Sequence, residues 1–376
     1  MTTLVRGYLS PSAQGTAPGP HTGQLAWFAQ DPRLELRPET IAPETLDLAW
    51  PQLTRQAELD GKRAMLWMRR DLEIHDHFLI DRILELDAGV WQITDALGST
   101  LLKAAIGPPP GPQPGPIRTP SLSVALANAS RTQTRSAIQD GPELLVVTAS
   151  RVDASSFYDQ TALGRSIQRL RLHGARIRLM AICNNRHALA HVYNRVLTPA
   201  HQDSVVAFIH DDVTLHDWHL SLHVRTALKH FDLIGVAGCK VLRAGQPSWA
   251  FPIQVGKWAP SQELLGAVGH DTRDQPQETI KAHVLARYGA TKGAAVLLDG
   301  VFLASKVKTL IEHGLQFDPD LPFHFYDLDL CRQAQRASLR TGVWPLAITH
   351  HSAGHMNTPE WRRAYEHYLN KWIPAG

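Results

Sequence analysis

The sequence predicts an α/β fold: a mainly parallel sheet flanked by helices, preceded by a smaller, degenerate α/β copy of the same unit. Three observations carry this expectation. Short apolar runs alternate with helix-periodic stretches after Glu143, polar groups cluster just past the ends of those runs, and an upstream segment repeats the pattern.

The first strand is expected at Glu143-Leu-Leu-Val-Val-Thr-Ala149, a short apolar run ending in small and polar residues, as expected of a strand buried on both faces. Ile167 and Leu170 give Gly164 to Leu172 a helical period. Arg178 to Cys183 reads as a second strand. Leu189, Val192, Val196 and Leu197 place a helix over Asn185 to Leu197, and Ser204 to Ile209 is a third strand. Strand and helix in alternation imply right-handed βαβ units, whose ligands bind beyond the carboxyl ends of the strands. His210-Asp211-Asp212 falls there.

The repeat sets Met68-Arg-Arg-Asp-Leu-Glu-Ile-His-Asp76 against Ile209-His-Asp-Asp-Val-Thr-Leu-His-Asp217, with Asp71 standing 141 positions before Asp212. The same spacing, without a gap, pairs Leu48-Ala49 with Leu189-Ala190 and Leu36-Arg37 with Ile177-Arg178. One register serving several elements points to duplication. Arg69 and Arg70 stand where the second copy has His210 and Asp211, and two positive charges there repel a divalent cation. Between the copies, residues 107–120 read GPPPGPQPGPIRTP, a semi-rigid linker. The expected organisation is a flexible tail over 1–23, a degenerate domain over 24–106, the linker, and a catalytic domain over 121–376.

Composition narrows the classes. A chain of 376 residues, 44% hydrophobic, can bury a sizeable core. With Lys+Arg 38 against Asp+Glu 35 and no long basic block, nucleic acid is not an expected partner. Cys183, Cys239 and Cys331 are far apart and odd in number, so no disulfide framework is encoded. No apolar run reaches the roughly 20 residues of a bilayer span, which makes cytoplasmic residence the expectation. Arg362, Arg363 and Lys371 on the last helix leave peripheral contact with the inner membrane open.

Four segments carry chemistry. Asp211 and Asp212 at a strand end can hold Mg²⁺ or Mn²⁺ against diphosphate oxygens, although capping of a following helix by Asp212 or Asp217 would explain them as well. Asp299-Gly300 interrupts the apolar run Ala294 to Ala304, where the glycine admits close backbone approach and the aspartate could orient a sugar hydroxyl; a hairpin turn is the alternative. Asp327 and Asp329 follow a loop rich in proline and aromatics, at a helix start, and a carboxylate there can take a proton from an acceptor hydroxyl. His350, His351 and His355 follow the strand Val343 to Ile348, and one of them could complete the metal site. His216, His219 and His223 share helical spacing and read as structural. Thr358 and Pro359 start a last helix with Trp361, Tyr365, Tyr368, Leu369 and Trp372 on one side.

These segments in this order resemble the GT-A glycosyltransferases of the family 2 type over about Glu143 to Trp372, through Val146-Val-Thr-Ala-Ser-Arg151, Asn194, His210-Asp-Asp-Val213, Asp299-Gly300 and Tyr326-Asp-Leu-Asp-Leu330. The branch of rhamnosyltransferase-like and antibiotic-sugar proteins, which carries His-Asp-Asp-Val, looks closer than the cellulose-synthase-like one. The resemblance implies a nucleotide-sugar donor held by Thr148, Ser150, Arg151, Asp153, Asn185, Asn194, Asp211, Asp299 and Gly300. It implies Mn²⁺ or Mg²⁺ on Asp211, Asp212 and His350, and inverting transfer with Asp327 as base and Asp329 beside it. The acceptor would be a glycan, a lipid-linked group or a protein, in bacterial glycan or glycoconjugate synthesis, with homo-oligomers formed through the N-terminal domain. Val213 stands at the third position of the family's DxD pattern, and Tyr326 replaces the glutamate of its Glu-Asp pair. An inactive nucleotide- or sugar-binding scaffold and a metal-dependent hydrolase using His210, Asp212 and His350 are the competing classes.

Overall fold

A computed structural model describes residues 5–9, 33–68, 80, 89–94, 100–106, 143–172, 175–217, 219–271, 283–352 and 356–373. These form two compact units, one from the described residues up to Ile106, the other from those within 143–271 and 284–373. The 107–120 segment, Arg69, Arg70, Asp71 and His355 lie outside the described residues.

The first unit holds a five-stranded sheet of β1 (Val5–Leu9), β2 (Leu34–Thr40), β3 (Ala64–Met68), β4 (Gly89–Thr94) and β5 (Thr100–Ile106), in the order β2-β1-β3-β5-β4. β1 to β3 are parallel, and β5 runs against both β3 and β4. The helix Pro43–Leu59 lays Leu46, Trp50 and Ala57 against Tyr8, Met65 and Trp67. Val5 to Leu9 lie within the stretch that the sequence assigns to a loose tail, yet they form the middle strand of the parallel trio. That assignment is corrected: five residues are too few to show a period, and their burial comes from neighbours far along the chain.

The second unit contains β6 (Leu144–Ala149), β7 (Ile177–Ile182), β8 (Val205–Ile209), β9 (Val213–Leu215), β10 (Leu233–Gly235), β11 (Ala237–Cys239), β12 (Leu264–Asp271), β13 (His283–Arg287), β14 (Gly293–Ala294), β15 (Leu297–Leu298), β16 (Phe302–Lys306), β17 (Thr341–Val343) and β18 (Ile348–His350). One sheet runs β14-β17-β10-β16-β8-β6-β7 and the other β15-β11-β12-β18-β9. β6, β7 and β8 are parallel, and β16 runs against β8. Every residue of β8 is buried, as are the first five of β6, which is why both read as unbroken apolar runs. The mixed α/β architecture expected from the sequence is the one found.

The two units share a strand order, parallel β2-β1-β3 then antiparallel β5 in one, parallel β7-β6-β8 then antiparallel β16 in the other. Pairing places Val5 opposite Ala64 and Leu34, and Leu144 opposite Val205 and Ile177. Leu34 is therefore the counterpart of Ile177, whereas the ungapped repeat pairs Leu36 with it. The slip is two residues, which keeps every side chain on its own face of the sheet.

Several local expectations change in detail. The helix begun near Asn185 is the short Leu189–Tyr193, followed by a 3₁₀ turn Asn194–Val196. The apolar run through Asp299-Gly300 is neither one strand nor a hairpin, because β15 joins one sheet and β16 the other. Val343 to Ile348 likewise divides between β17 and β18. His216, His219 and His223 do not share a helix, since the helix starts at Leu220 and His223 instead pairs with the buried Asp217 at 2.7 Å. The last helix is Pro359–Trp372, with the Thr358 hydroxyl accepting from the Trp361 amide. Among the described residues no helix is long and apolar enough to cross a membrane.

Candidate active site

The carboxyl ends of β6 and β8 lie side by side, so Ser150 and Asp211 meet: the Ser150 hydroxyl donates to the Asp211 carboxylate at 2.6 Å. Burial pushes the Asp211 carboxyl upward against that hydrogen bond. The second sheet completes the site. β18 pairs with β9, setting His350 opposite Val213, and β12 pairs with β18, setting His270 beside His350. His350 thus reaches Asp212 across more than a hundred residues of sequence.

Ligand atoms of His210, Asp212 and His350 lie within 4.8 Å of one another. His350 Nε2 is 3.4 Å from Asp212 Oδ1, and that oxygen is buried with no hydrogen-bond partner among the described residues. Burial would raise the Asp212 carboxyl, but the adjoining His350 brings it down to about 2. Burial lowers His210, so its imidazole is neutral and able to coordinate. Two imidazoles and an orphaned carboxylate oxygen suit a divalent cation of the Mn²⁺ class. The three groups brought together are His210, Asp212 and His350, whereas Asp211, expected beside Asp212 and His350, accepts from Ser150.

β16 runs against β8 with Phe302 opposite Ile209, so the loop before β16 arrives at the same edge as His210. Asp299 there accepts from the Trp249 indole at 2.7 Å and from the Val301 amide at 2.8 Å. The helix Tyr326–Arg336 supplies the other half. The Tyr326 hydroxyl donates to the Gly300 carbonyl at 2.9 Å and lies 2.7 Å from His210 Nε2. A hydroxyl has one proton, so Nε2 is the donor in that contact and Nδ1 keeps the lone pair. Asp327 accepts from the Gly300 and Leu328 amides at 2.8 and 2.9 Å. Burial, then the neighbouring charge of Asp299, push its carboxyl up to about 7. A carboxylate poised there can serve as a base near neutral pH.

Phe325, just before that helix, has φ of 63°, a left-handed conformation costly for an aromatic residue. The last helix over-determines it: Trp361, Tyr365 and Tyr368 surround the Phe325 ring with centroids 5.1, 5.3 and 5.4 Å away.

One pocket gathers Ser150, Arg151, Asn185, His210, Asp211, Asp212, Asp299, Gly300, Asp327 and His350. Thr148, Asp153, Asn194 and Asp329 do not line it. Thr148 is wholly buried in β6, and Asp153 bonds Ser155 and Ser156 at the surface. The Asn194 side chain braces Phe317 through its amide and carbonyl. Asp329 is 0% exposed and takes hydrogen bonds from Trp372, Lys371 and Gln333, so it corrects to a structural residue that fastens the last helix. The His351 ring bonds Thr214, and its backbone amide donates to the Asp212 carbonyl. Sequence reasoning did not single out Trp249, Phe251, Trp258, His270, Tyr288 or Phe323, all of which line the pocket. The aromatic density of Ser248 to Trp258 was the available signal, but a loop has no period to say which way its rings face.

No curated protein matches the chain. Solved structures resemble it distantly: A197 from STIV, at 12% identity over 56% of this chain and 85% of that one with a TM-score of 0.30, and a UDP-glucose pyrophosphorylase complexed with UDP-glucose, at 13% over 63% and 86% with a TM-score of 0.27. Neither likeness is close enough to carry over any detail. The model of the glycosyltransferase-like family matches residues 149–372, more than half of the chain, and spans every residue that lines the pocket. The chain belongs to the glycosyltransferase-like family.

Proposed function

We propose that this glycosyltransferase uses a nucleotide-sugar donor, depends on a divalent cation, and transfers with inversion in the manner of the family 2 type, in bacterial glycan or glycoconjugate synthesis. The observation that carries the proposal is Asp327: a half-buried carboxylate lining the pocket, fixed by two backbone amides and raised to about 7. Asp327 takes the proton of the acceptor hydroxyl as that oxygen attacks the anomeric carbon. The bond from that carbon to the phosphate oxygen breaks, and the nucleoside diphosphate departs with the bonding pair. Asp299, fixed by Trp249 and Val301, orients a sugar hydroxyl. Ser150, Arg151 and Asn185 form the nucleotide side of the pocket.

His210, Asp212 and His350 would hold Mn²⁺ or Mg²⁺, which when bound supplies positive charge against the departing diphosphate. The same His-Asp-His cluster favours a metal-dependent hydrolase as the second reading. The products separate the two. Incubation with UDP-, GDP-, dTDP- and CDP-sugars, with and without Mn²⁺ and an acceptor, is expected to release nucleoside diphosphate together with a new glycoside of inverted anomeric configuration. Release of free sugar to water alone, unaffected by Asp327→Asn, would establish the hydrolase instead.

A further inference from the structure

Among the large apolar side chains exposed in the described residues, the aromatic ones are Trp258 and Phe323, and both line the catalytic pocket. Phe323 stacks on His210, with centroids 6.0 Å apart and planes 23° from parallel. Trp258 lies on the Asp299 side, 54% exposed and yet braced from several directions. Its ring stacks on Tyr288 at 5.6 Å and 16°, while Phe251 and Trp249 meet it edge-on at 5.1 and 6.4 Å.

The bracing is itself anchored. Tyr288 shares a hydrogen bond of 3.0 Å with His270, and the Trp249 indole is tied to Asp299. The loop that carries Trp249, Phe251 and Trp258 is pinched where the Ala259 amide donates to the Ala250 carbonyl at 2.9 Å. At its base Arg243 and Glu263 form a two-pronged ion pair. A large indole surface held rigid and left open to solvent forgoes burial, and its rotamer freedom is already lost before any ligand arrives.

We infer that the open surface of Trp258 is an acceptor subsite that binds a saccharide ring by stacking, so that the acceptor hydroxyl belongs to a sugar rather than to a lipid or a peptide side chain; this rests on the transferase reading above. A pyranose presents C–H groups on one face, which suit the electron-rich face of an indole, and hydroxyls around its rim, which need polar partners. Asp299, Ser248 and His270 stand around the wall to supply them. An alkyl chain would take the water from the remaining lone pairs of the Asp299 carboxylate without replacing it. In the transferase reading the nucleotide is assigned instead to Ser150 and Arg151. Trp249, by holding Asp299, acts as a positioning residue between the platform and the carboxylates.

The test uses the full chain and a panel of methyl glycosides and disaccharides, cellobiose, maltose and chitobiose among them, with octanol and a serine peptide as alternatives, read by saturation-transfer NMR and calorimetry. A saccharide is expected to bind, Trp258→Ala to weaken it about tenfold, and Trp258→Phe to restore most of the affinity. Affinity for UDP or GDP with Mn²⁺ is expected to be unchanged in both variants. Native protein that binds no saccharide of the panel, equal saccharide affinity in Trp258→Ala, preference for octanol or the peptide, or nucleotide affinity falling in step would each overturn the inference. Release of nucleoside diphosphate without acceptor is measured alongside. A chain that binds saccharides through Trp258 but releases none keeps the subsite and loses the transferase reading.

Discussion

The Tyr326 hydroxyl sits 2.7 Å from His210 Nε2 while donating its own proton to the Gly300 carbonyl. This fixes the imidazole with its proton on Nε2 and leaves Nδ1 to coordinate. Tyr326→Phe keeps the ring in its aromatic surroundings of Tyr193 and Phe317 but frees His210 to change tautomer and rotate. Mn²⁺ affinity measured by calorimetry is expected to fall roughly tenfold, the lower end of what such supporting partners contribute. Unchanged affinity would mean that His210 is not a ligand.

Gly300 is required by the same contact. A Cβ there would lie 2.3 Å from the Tyr326 hydroxyl oxygen, 2.7 Å from Cζ and 3.0 Å from the Asp327 Cβ. None of these can yield without moving the helix start. Gly300→Ala is expected to lower stability by about 1–3 kcal/mol and to slow transfer together with Mn²⁺ binding. Thermal denaturation and single-turnover kinetics on one preparation check both.

Asp327 and Asp329 are two residues apart and have opposite fates. Asp327→Asn cannot take the acceptor proton, so kcat is expected to fall on the order of 10² to 10⁴ with donor affinity nearly intact. Asp329→Asn breaks a buried carboxylate's contacts with Trp372 and Lys371, and is expected to cost on the order of 3 kcal/mol of stability with a smaller effect on kcat in the folded fraction. The reverse order would make Asp329 the base.

The raised Asp327 carboxyl sets a pH dependence. Only its ionised form accepts a proton, so kcat/KM is expected to rise about tenfold per unit below pH 7 and to level above it, following the carboxyl raised to about 7 by burial and by Asp299. Stability has the opposite sign. Between 3.8, the ordinary value, and about 7 the folded chain binds this proton more readily than the unfolded one, so the group's contribution declines as pH rises. Melting temperatures of native protein and Asp327→Asn across that window should diverge accordingly; parallel curves would exclude the shift.

What the sequence determined by itself is the layout of the second unit: β6 and β8 as buried runs, β7 as a strand beside them, His210-Asp211-Asp212 past a strand end, Tyr326-Asp327 at a helix start and Thr358 as a cap. Each is local, because burial on both faces leaves an unbroken apolar run and capping needs particular residues at fixed offsets. The strand order that the two units share agrees with the expected repeat to within two residues, a slip that keeps each side chain on its own face. Only the tertiary structure decided which groups meet. Pairing of β9, β18 and β12 brought His350 to Asp212 and His270 beside His350, while Asp329 turned into the core. Val5 to Leu9 became a middle strand, and the Trp249 to Trp258 loop became a wall of the pocket. Those outcomes depend on contacts between segments far apart in the chain, set by sheet register and packing, to which no spacing within one segment corresponds.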